Sequence, residues 1–580
     1  MDVSAYMDLN HAARVVFNAL PARRSRVRFM VPSEDGSDWR AITWGAFAAE
    51  IEQIGAFLAG AGLKSSERAA ILGHNRVAWL SAALAIQGAG GAMVPIYPSS
   101  TADQVAYVVE HSDARVLFVD DAASLRKLLE RWEACAEVIK IVALGDDLDP
   151  AAVIERMRAD GVDAPSFSEV EPRFVTWSRA RALGRSRLAE SPDLFYDLMD
   201  RVSLDQPAVM LYTSGTTGRP KGVPLTHRNI GVNGRDWLQC NAPLIEEGYV
   251  DMLWLPLSHI FGFGEACLGN TLGFVTYWVQ PHRVLDMLPV VRPQVFMSVP
   301  RVFEKLAMSA MGEPTVAAQR AKLDAVTGGD FRFCLSGGAG LKREVKDFFY
   351  AHDTLIIEGY GLTEASPTLT LNRADAFRFD SVGKPLPSVE IKLAEDGEIL
   401  ARGESIFGGY HKNPGATKET FTEDGWLLTG DIGRWTDDGF LQIIDRKKEI
   451  IVTAQGKNIP PANIEVRFAD DPFVAHAVVY GDAKPYLVAG IWLDEAAVGA
   501  HLDDQGVTGE AARREARRAL VAERVERAND GLARFETVKK FAIIDEPLTV
   551  EGGLLTPTLK VKRKKVYEAH GDTLRALYDA

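Results

Sequence analysis

The stretch LYTSGTTGRPKG, residues 211–222, leaves an apolar run and enters Thr213, Ser214, Gly215, Thr216, Thr217 and Gly218, with Lys221 three positions beyond. Side chains no larger than a threonine leave the backbone N–H groups open, and their hydroxyls add further donors. Such a loop wraps the oxygens of a polyphosphate, and a lysine adds a mobile point charge. A Walker A loop sets its lysine between glycine and Ser/Thr, whereas Lys221 stands between Pro220 and Gly222, so that spacing fails. A phosphate cradle of another kind is the first expectation.

Further motifs follow in order: LPLSHIFG with His259, SGGAGL over 336–341, EGYGLTEASP over 358–367, GWLLTGDIG with Asp431, DRKKEIIVTAQGKNIPPANIE from Asp445, and LTPTLKVKRK with Lys560. Together with the loop they span nearly the whole chain. The sequence thereby resembles the adenylate-forming enzymes, which include acyl-CoA synthetases, firefly-type luciferases and the adenylation domains of peptide synthetases. SVPRVFEKL over 298–306, GKNIPP and TPTLKVKR make it most similar to the long-chain fatty acyl-CoA synthetases.

That resemblance implies a two-step ligase. A fatty acid carboxylate joins AMP from ATP, pyrophosphate leaves, and the acyl group passes from acyl-AMP to CoA. The first step develops charge on the α-phosphoryl oxygens, so cations and fixed donors are the main need. Thr213 to Gly218 with Lys221 would hold the departing phosphates. Glu364 is the expected Mg²⁺ ligand, helped by the hydroxyl of Thr213 or Thr363, because hard oxygen donors suit that ion. Gly337, Gly338 and Ala339, with Gly359, Tyr360 and Gly361, fit a slot for a flat base. Asp431 suits the ribose hydroxyls, and Arg446 lies where the family places a ribose or phosphate contact. By family position, Lys560 reaches the carboxylate and α-phosphate, His259 lines the acyl site, and Phe261 and Phe263 would be apolar walls or a gate nearby. The hinge falls on Lys448, and Gly456 and Lys457 belong to the channel for the pantetheine arm. Gln455 stands where many relatives have glycine, a departure that bears on the second step.

Taken alone, several of these residues read otherwise. Glu364 suits a surface, His259 a satisfied core, and Lys560 a solvated patch of five cations, KVKRKK, open also to CoA phosphates or a membrane surface. Other outcomes of the same chemistry are a ligase that loads a separate carrier protein and an improbable luciferase-like oxygenase; a nucleotide-binding relative without catalysis belongs to another class.

The elements that must position these groups read as α/β. From Thr43 onward, helices such as Trp44–Leu58 alternate with continuous apolar strands, implying parallel sheet covered on both faces. The first two hundred residues read as doubly wound, with the polar region 146–204 as an inserted helical or loop segment. After Gly383 short strands alternate with Asp-Gly turns at Asp396, Asp424 and Asp438. The expected whole is a large N-terminal domain, 1–444, of doubly wound mixed sheets plus a small β-barrel-like part, followed by a small mobile α+β domain, 445–580.

Composition narrows the class. The 580 residues are 47% hydrophobic and 25% charged, ordinary for a folded protein, and the formal net charge of -14 argues against nucleic acid as a partner. Four scattered cysteines support neither a zinc site nor a disulfide framework. The start lacks the pattern of a secretory signal, and the most apolar stretch is broken by glycines and proline, so a cytoplasmic protein is expected, with peripheral contact at an inner membrane surface left open.

Overall fold

The computed structural model describes residues 1–33, 38–213, 219–455, 457–469, 471–556 and 560–579. Among them, seven strands form one sheet and nine form another, and the chain passes between the two. In the seven-stranded sheet, Arg68–Leu72, Ala92–Ile96, Ala114–Val119 and Lys140–Ala143 lie parallel, and Pro207–Thr213 joins beside Ala92–Ile96. The hairpin partner Lys221–Thr226 closes that edge antiparallel.

The first two strands depart from the expectation of one doubly wound unit. Val27–Pro32 and Trp39–Thr43 belong to the other sheet, where Phe29 pairs with Thr276 of Val275–Trp278. An apolar strand carries no mark of which sheet will accept it. The partner is chosen by packing, and Phe29 sits fully buried against Phe47 and Trp278. The rest of this sheet runs through Val250–Leu253, Val295–Ser298, Phe333–Ser336 and Ile356–Gly361, all parallel, to two antiparallel edge strands.

Helices fill the space between the sheets. Val77–Gly88 is buried on nearly every side and Ile260–Leu272 on most, which is why their sequences are apolar without a polar face. One cluster joins Ile71 and Phe118 of the first sheet, Leu253 and Trp278 of the second, and Trp79 and Phe263 of the two helices. Helix Trp44–Ala61 begins where Thr43 accepts the N–H of Ala46 and ends at Gly62 in the left-handed region, φ 94°.

The polar region 146–204 is mostly helical, adds the short edge strand Phe174–Val175 beside Lys140–Ala143, and is fastened down. Its helix Trp177–Glu190 lies on Trp44–Ala61, with Trp177 Nε1 donating to Glu50 (2.8 Å) and Arg181 Nε to Gln53 (2.9 Å). The small β part after Gly383 is a four-stranded antiparallel sheet, Val389–Leu393, Glu398–Gly403, Leu427–Trp435 and Leu441–Arg446. Gly397, Gly425 and Gly439, the second residues of its Asp-Gly pairs, all have φ near 80°, as such tight turns require. The break in sheet pairing comes after Arg446. Beyond it, Val474–Tyr480, Leu487–Leu493 and Val538–Ile543 form their own sheet, covered by helices Glu510–Asn529 and Arg563–Asp579. The cysteines are unbridged, and no helix among the described residues is long and apolar enough to cross a membrane.

Gly184 is where the two outer helices come closest, because a Cβ there would stand 1.8 Å from the carbonyl oxygen of Gln53. Gly184→Ala is expected to lower stability by about 1–3 kcal/mol through overpacking, read as a lower denaturant midpoint; an unchanged midpoint contradicts this contact.

Candidate functional site

The hairpin at the edge of the seven-stranded sheet presents Thr213 directly opposite Lys221. Paired residues project to the same face of a sheet, so a hydroxyl and an ammonium flank the loop that joins them. Ser214, Gly215, Thr216, Thr217 and Gly218 lie outside the described residues. Lys221 Nζ rests 4.5 Å from the centre of the Tyr410 ring, and the Tyr410 hydroxyl donates to Glu364 Oε1 at 2.8 Å. Glu364 is buried, in the turn Thr363–Ala365 that follows strand Ile356–Gly361, and the hairpin strand Lys221–Thr226 packs on this turn.

A second cluster forms at the carboxyl ends of Phe333–Ser336 and Ile356–Gly361, the place where open α/β sheets bind ligands. The loop 336–341 is held from both ends: Gly337 N–H donates to Ser298 O (3.0 Å), and Leu341 N–H to Glu358 Oε1 (2.6 Å). Glu358 is also paired with the buried ammonium of Lys346. Gly337 is needed here, because a Cβ would come within 2.9 Å of the Phe261 ring, and Gly338 sits at φ 85° with open space beside it. Gly359 is equally constrained, between the Leu371 side chain and the Thr370 carbonyl, both 2.8 Å from a built Cβ, and Gly361 against Pro367 O at 1.8 Å.

Tyr360, Asp431 and Arg446 form a chain. The Tyr360 hydroxyl donates to Asp431 Oδ2 at 2.5 Å, and Arg446 Nε meets Asp431 Oδ1 at 2.8 Å from the neighbouring strand. Burial raises the pKa of Asp431, and the charge of Arg446 and the bond from Tyr360 work against that rise. Both oxygens of Asp431 already have partners, and an ionised carboxylate still offers further lone pairs to a ribose. Burial, then the Asp431 charge, pushes the Tyr360 hydroxyl far up, so it stays a donor.

Lys560 arrives from the far end of the sequence. Its ammonium donates to the carbonyl of Gly338 at 3.0 Å. Thr556 N–H donates to Lys560 O (2.8 Å), and Lys560 N–H donates to Thr556 Oγ1 (3.0 Å). Partial desolvation and then Arg446 lower the pKa of Lys560, with Asp431 opposing.

His259 caps helix Ile260–Leu272, and its Nδ1 accepts the N–H of Phe261 at 3.1 Å. That bond assigns the proton to Nε2. Burial and the nearby Lys560 charge lower its pKa to about 4, so the ring is a neutral N–H donor at neutral pH. Phe261 faces the Gly337 loop, but Phe263 is 1% exposed and packs near Trp79 in the shared core. Two residues apart on a helix, the pair points to different sides.

Lys448 is exposed in the turn 447–449, just after the break in sheet pairing. Lys447 before it is anchored to Asp396 (2.5 Å) and Glu398 (2.7 Å) of the four-stranded sheet, and Glu449 after it lies 3.5 Å from Arg563 of the last helix. Gly456 is outside the described residues. Lys457 is exposed and lies toward the Phe535 ring, 5.6 Å away. Tyr410 is the residue that sequence reasoning missed; GGYHKNP carries no spacing that marks it.

Glu364 fits a magnesium ion in one respect that can be tested. The described residues bring no second His, Cys, Asp or Glu pair to it, the only such trio being His74, Asp120 and Asp121 elsewhere. Mg²⁺ characteristically takes one or two carboxylates plus substrate phosphates rather than an all-protein cage, and a lone carboxylate such as Glu364 is compatible with that habit.

Residues 18–411 match the family described as AMP-binding enzyme, and residues 448–580 match the AMP-binding enzyme C-terminal domain. Over 600 aligned residues the chain is 33% identical to the long-chain-fatty-acid–CoA ligase FadD15 of Mycobacterium bovis, with 93% of each chain covered. It is 31% identical to the peroxisomal long chain acyl-CoA synthetase 6 of Arabidopsis thaliana, covering 93% of this chain and 82% of that one. Its fold is similar to that of the solved adenylation domain of a carboxylate reductase from Mycobacterium chelonae, with a TM-score of 0.79 at 20% identity, covering 100% of this chain and 93% of that one.

The state of His259 is open to measurement. Its ring nitrogens, followed by NMR in histidine-labelled protein, are expected to titrate near pH 4, and Lys560→Ala is expected to raise that midpoint by removing a positive neighbour. A wild-type midpoint at the ordinary value of about 6.5 contradicts the neutral-donor assignment.

Proposed function

The chain belongs to the AMP-binding enzyme family of adenylate-forming acyl-CoA ligases, and from that premise we propose that it activates a long-chain fatty acid with ATP and transfers the acyl group to CoA. The observation that carries this reading is the contact of Lys560 with the Gly338 carbonyl beside Tyr360, Asp431 and Arg446. In this reading the ammonium stands at the edge of a nucleotide slot, where carboxylate and α-phosphate would meet.

In the first step a carboxylate oxygen attacks the α-phosphorus, and the bond to the bridging oxygen of pyrophosphate breaks. Two anions approach one another, so cations at the reacting atoms lower the barrier most. Lys560 neutralises the carboxylate and the α-phosphoryl oxygens. His259, uncharged, donates its Nε2–H near the carboxylate without adding charge to an acyl site that must also accept an apolar tail. Asp431 holds the ribose and Tyr360 stacks on the base, its ring fixed by the bond to Asp431. Lys221 and the loop it ends take the β and γ phosphates. Mg²⁺ bound by Glu364 and Thr213 would supply charge to the triphosphate.

In the second step the CoA thiol attacks the acyl carbon, AMP leaves, and the thiol proton is lost. We propose residues 1–444 and 445–580 as the two bodies, turning about Lys448, which stands between anchors on either side. The turn would withdraw Lys560 and open the thiol path past Gly456, Lys457 and Gln455.

Pyrophosphate exchange against carboxylic acids of graded length, repeated with CoA and thioester detection, tests the reading. Exchange without a CoA thioester would assign the acceptor to a carrier-protein thiol, and no exchange with any acid would refute acyl activation. Lys560→Ala is expected to cut exchange by roughly 10²–10³-fold, the scale of losing one preorganised transition-state donor. Thioester formation from premade acyl-AMP should survive in that variant; loss of both steps contradicts the division between them.

A further inference from the structure

Opposite charges in a confined site tend to collapse onto each other. An ammonium and a carboxylate at about 4 Å attract strongly wherever water is thin, and a pair so formed is spent before a substrate arrives. Lys221 and Glu364 are exposed to that outcome, since the strand that begins at Lys221 packs on the turn that holds Glu364. Among the described residues no ion pair joins them.

Tyr410 stands between. Its hydroxyl donates to Glu364 Oε1 at 2.8 Å, and its ring face carries Lys221 Nζ at 4.5 Å. The phenol satisfies one carboxylate oxygen without neutralising the group. The ring quadrupole attracts the ammonium without donating or accepting a proton. We propose that Tyr410 is a positioning residue for the triphosphate end of the nucleotide, keeping carboxylate and ammonium apart and both turned toward the phosphates. The inference rests on the function proposed above.

The surroundings fix Tyr410 for this task. Its N–H donates to Thr417 Oγ1 (2.9 Å), and its ring packs edge-on against buried Phe407, centroids 4.9 Å apart. The same segment is stitched to both partners through the backbone, Phe407 N–H to Glu364 O and His411 N–H to Gly222 O, each 2.9 Å. Thus 407–411 is a strap laid across the hairpin and the Glu364 turn. Its one side chain that touches both functional groups is Tyr410.

The test uses the full chain as wild type, Tyr410→Phe and Tyr410→Leu. Calorimetry follows binding of α,β-methylene-ATP across a series of Mg²⁺ concentrations, and pyrophosphate exchange with a fatty acid is read alongside. Tyr410→Phe keeps the ring and loses the hydroxyl; the Mg²⁺ concentration for half-maximal binding is expected to rise roughly tenfold, as for a lost hydrogen bond to a charged group. Tyr410→Leu also loses the ring, and analogue affinity is expected to fall a further roughly threefold or more. In exchange, KM for ATP should rise in both variants with KM for the acid unchanged, which a general loss of structure would not produce. A wild-type Mg²⁺ requirement in Tyr410→Phe overturns the role of the hydroxyl. Tyr410→Leu binding the analogue as Tyr410→Phe does overturns the role of the ring, and Tyr410→Met reads the same arm if the leucine variant does not fold. Wild-type protein that binds the analogue yet exchanges no pyrophosphate would strike the proposed function, while the binding series still decides on Tyr410.

Discussion

A single hydrogen bond, from the ammonium of Lys560 to the carbonyl of Gly338, closes a separation of 222 residues of chain. For it to form, the body that begins after Arg446 must sit over the carboxyl ends of the nine-stranded sheet. The loop 336–341 must also hold its carbonyl outward. Lys346, Glu358 and the Leu341 N–H secure that loop, and two hydrogen bonds with Thr556 secure the lysine's backbone. The arrangement couples domain position to electrostatics: Lys560 in place adds to the burial that keeps His259 neutral, and it gives Arg446 a like charge for a neighbour. Moving one body would relax both effects at once.

The carboxylates of the site follow a common rule. A buried acid group without partners is costly, and each here is given donors that leave capacity for a ligand. Glu358 takes a backbone N–H and an ammonium and serves the loop. Asp431 takes a phenol and a guanidinium, and Glu364 takes a phenol on one oxygen. Tyrosine appears twice in this role. A phenol donates firmly and remains neutral, so it orients a carboxylate without using up its charge. For the chemistry proposed, charge retained on Glu364 and Asp431 is charge available to metal and ribose.

Much of the fold was legible because local rules acted alone. The cap at Thr43, the Asp-Gly turns, the parallel strands with continuous apolar runs and the all-round apolar helix from Val77 each follow from short-range pattern. Sheet membership did not, because Val27–Pro32 reads like any buried strand and only its packing against Phe47 and Trp278 assigns it to the second sheet. Phe263 shows the same limit at the scale of one helix. The spacing from Phe261 is visible in sequence, but which side faces a pocket depends on where the helix lies between two sheets.

The motifs, through the resemblance they carry, put forward Lys221, Glu364, Asp431, Arg446 and Lys560 as the candidates for phosphate, ribose and metal chemistry. Backbone needs specified the glycines, since Gly337, Gly359 and Gly361 admit no Cβ. The linear sequence thus determined the class of chemistry and the local elements that bear it. Tertiary structure alone decided the contacts: Tyr410 between Lys221 and Glu364, Phe263 in the core, and Lys560 at Gly338. The physical reason is that charge and hydrogen bonding act over a few ångströms through space, while order along the chain says little about which distant residues come that close.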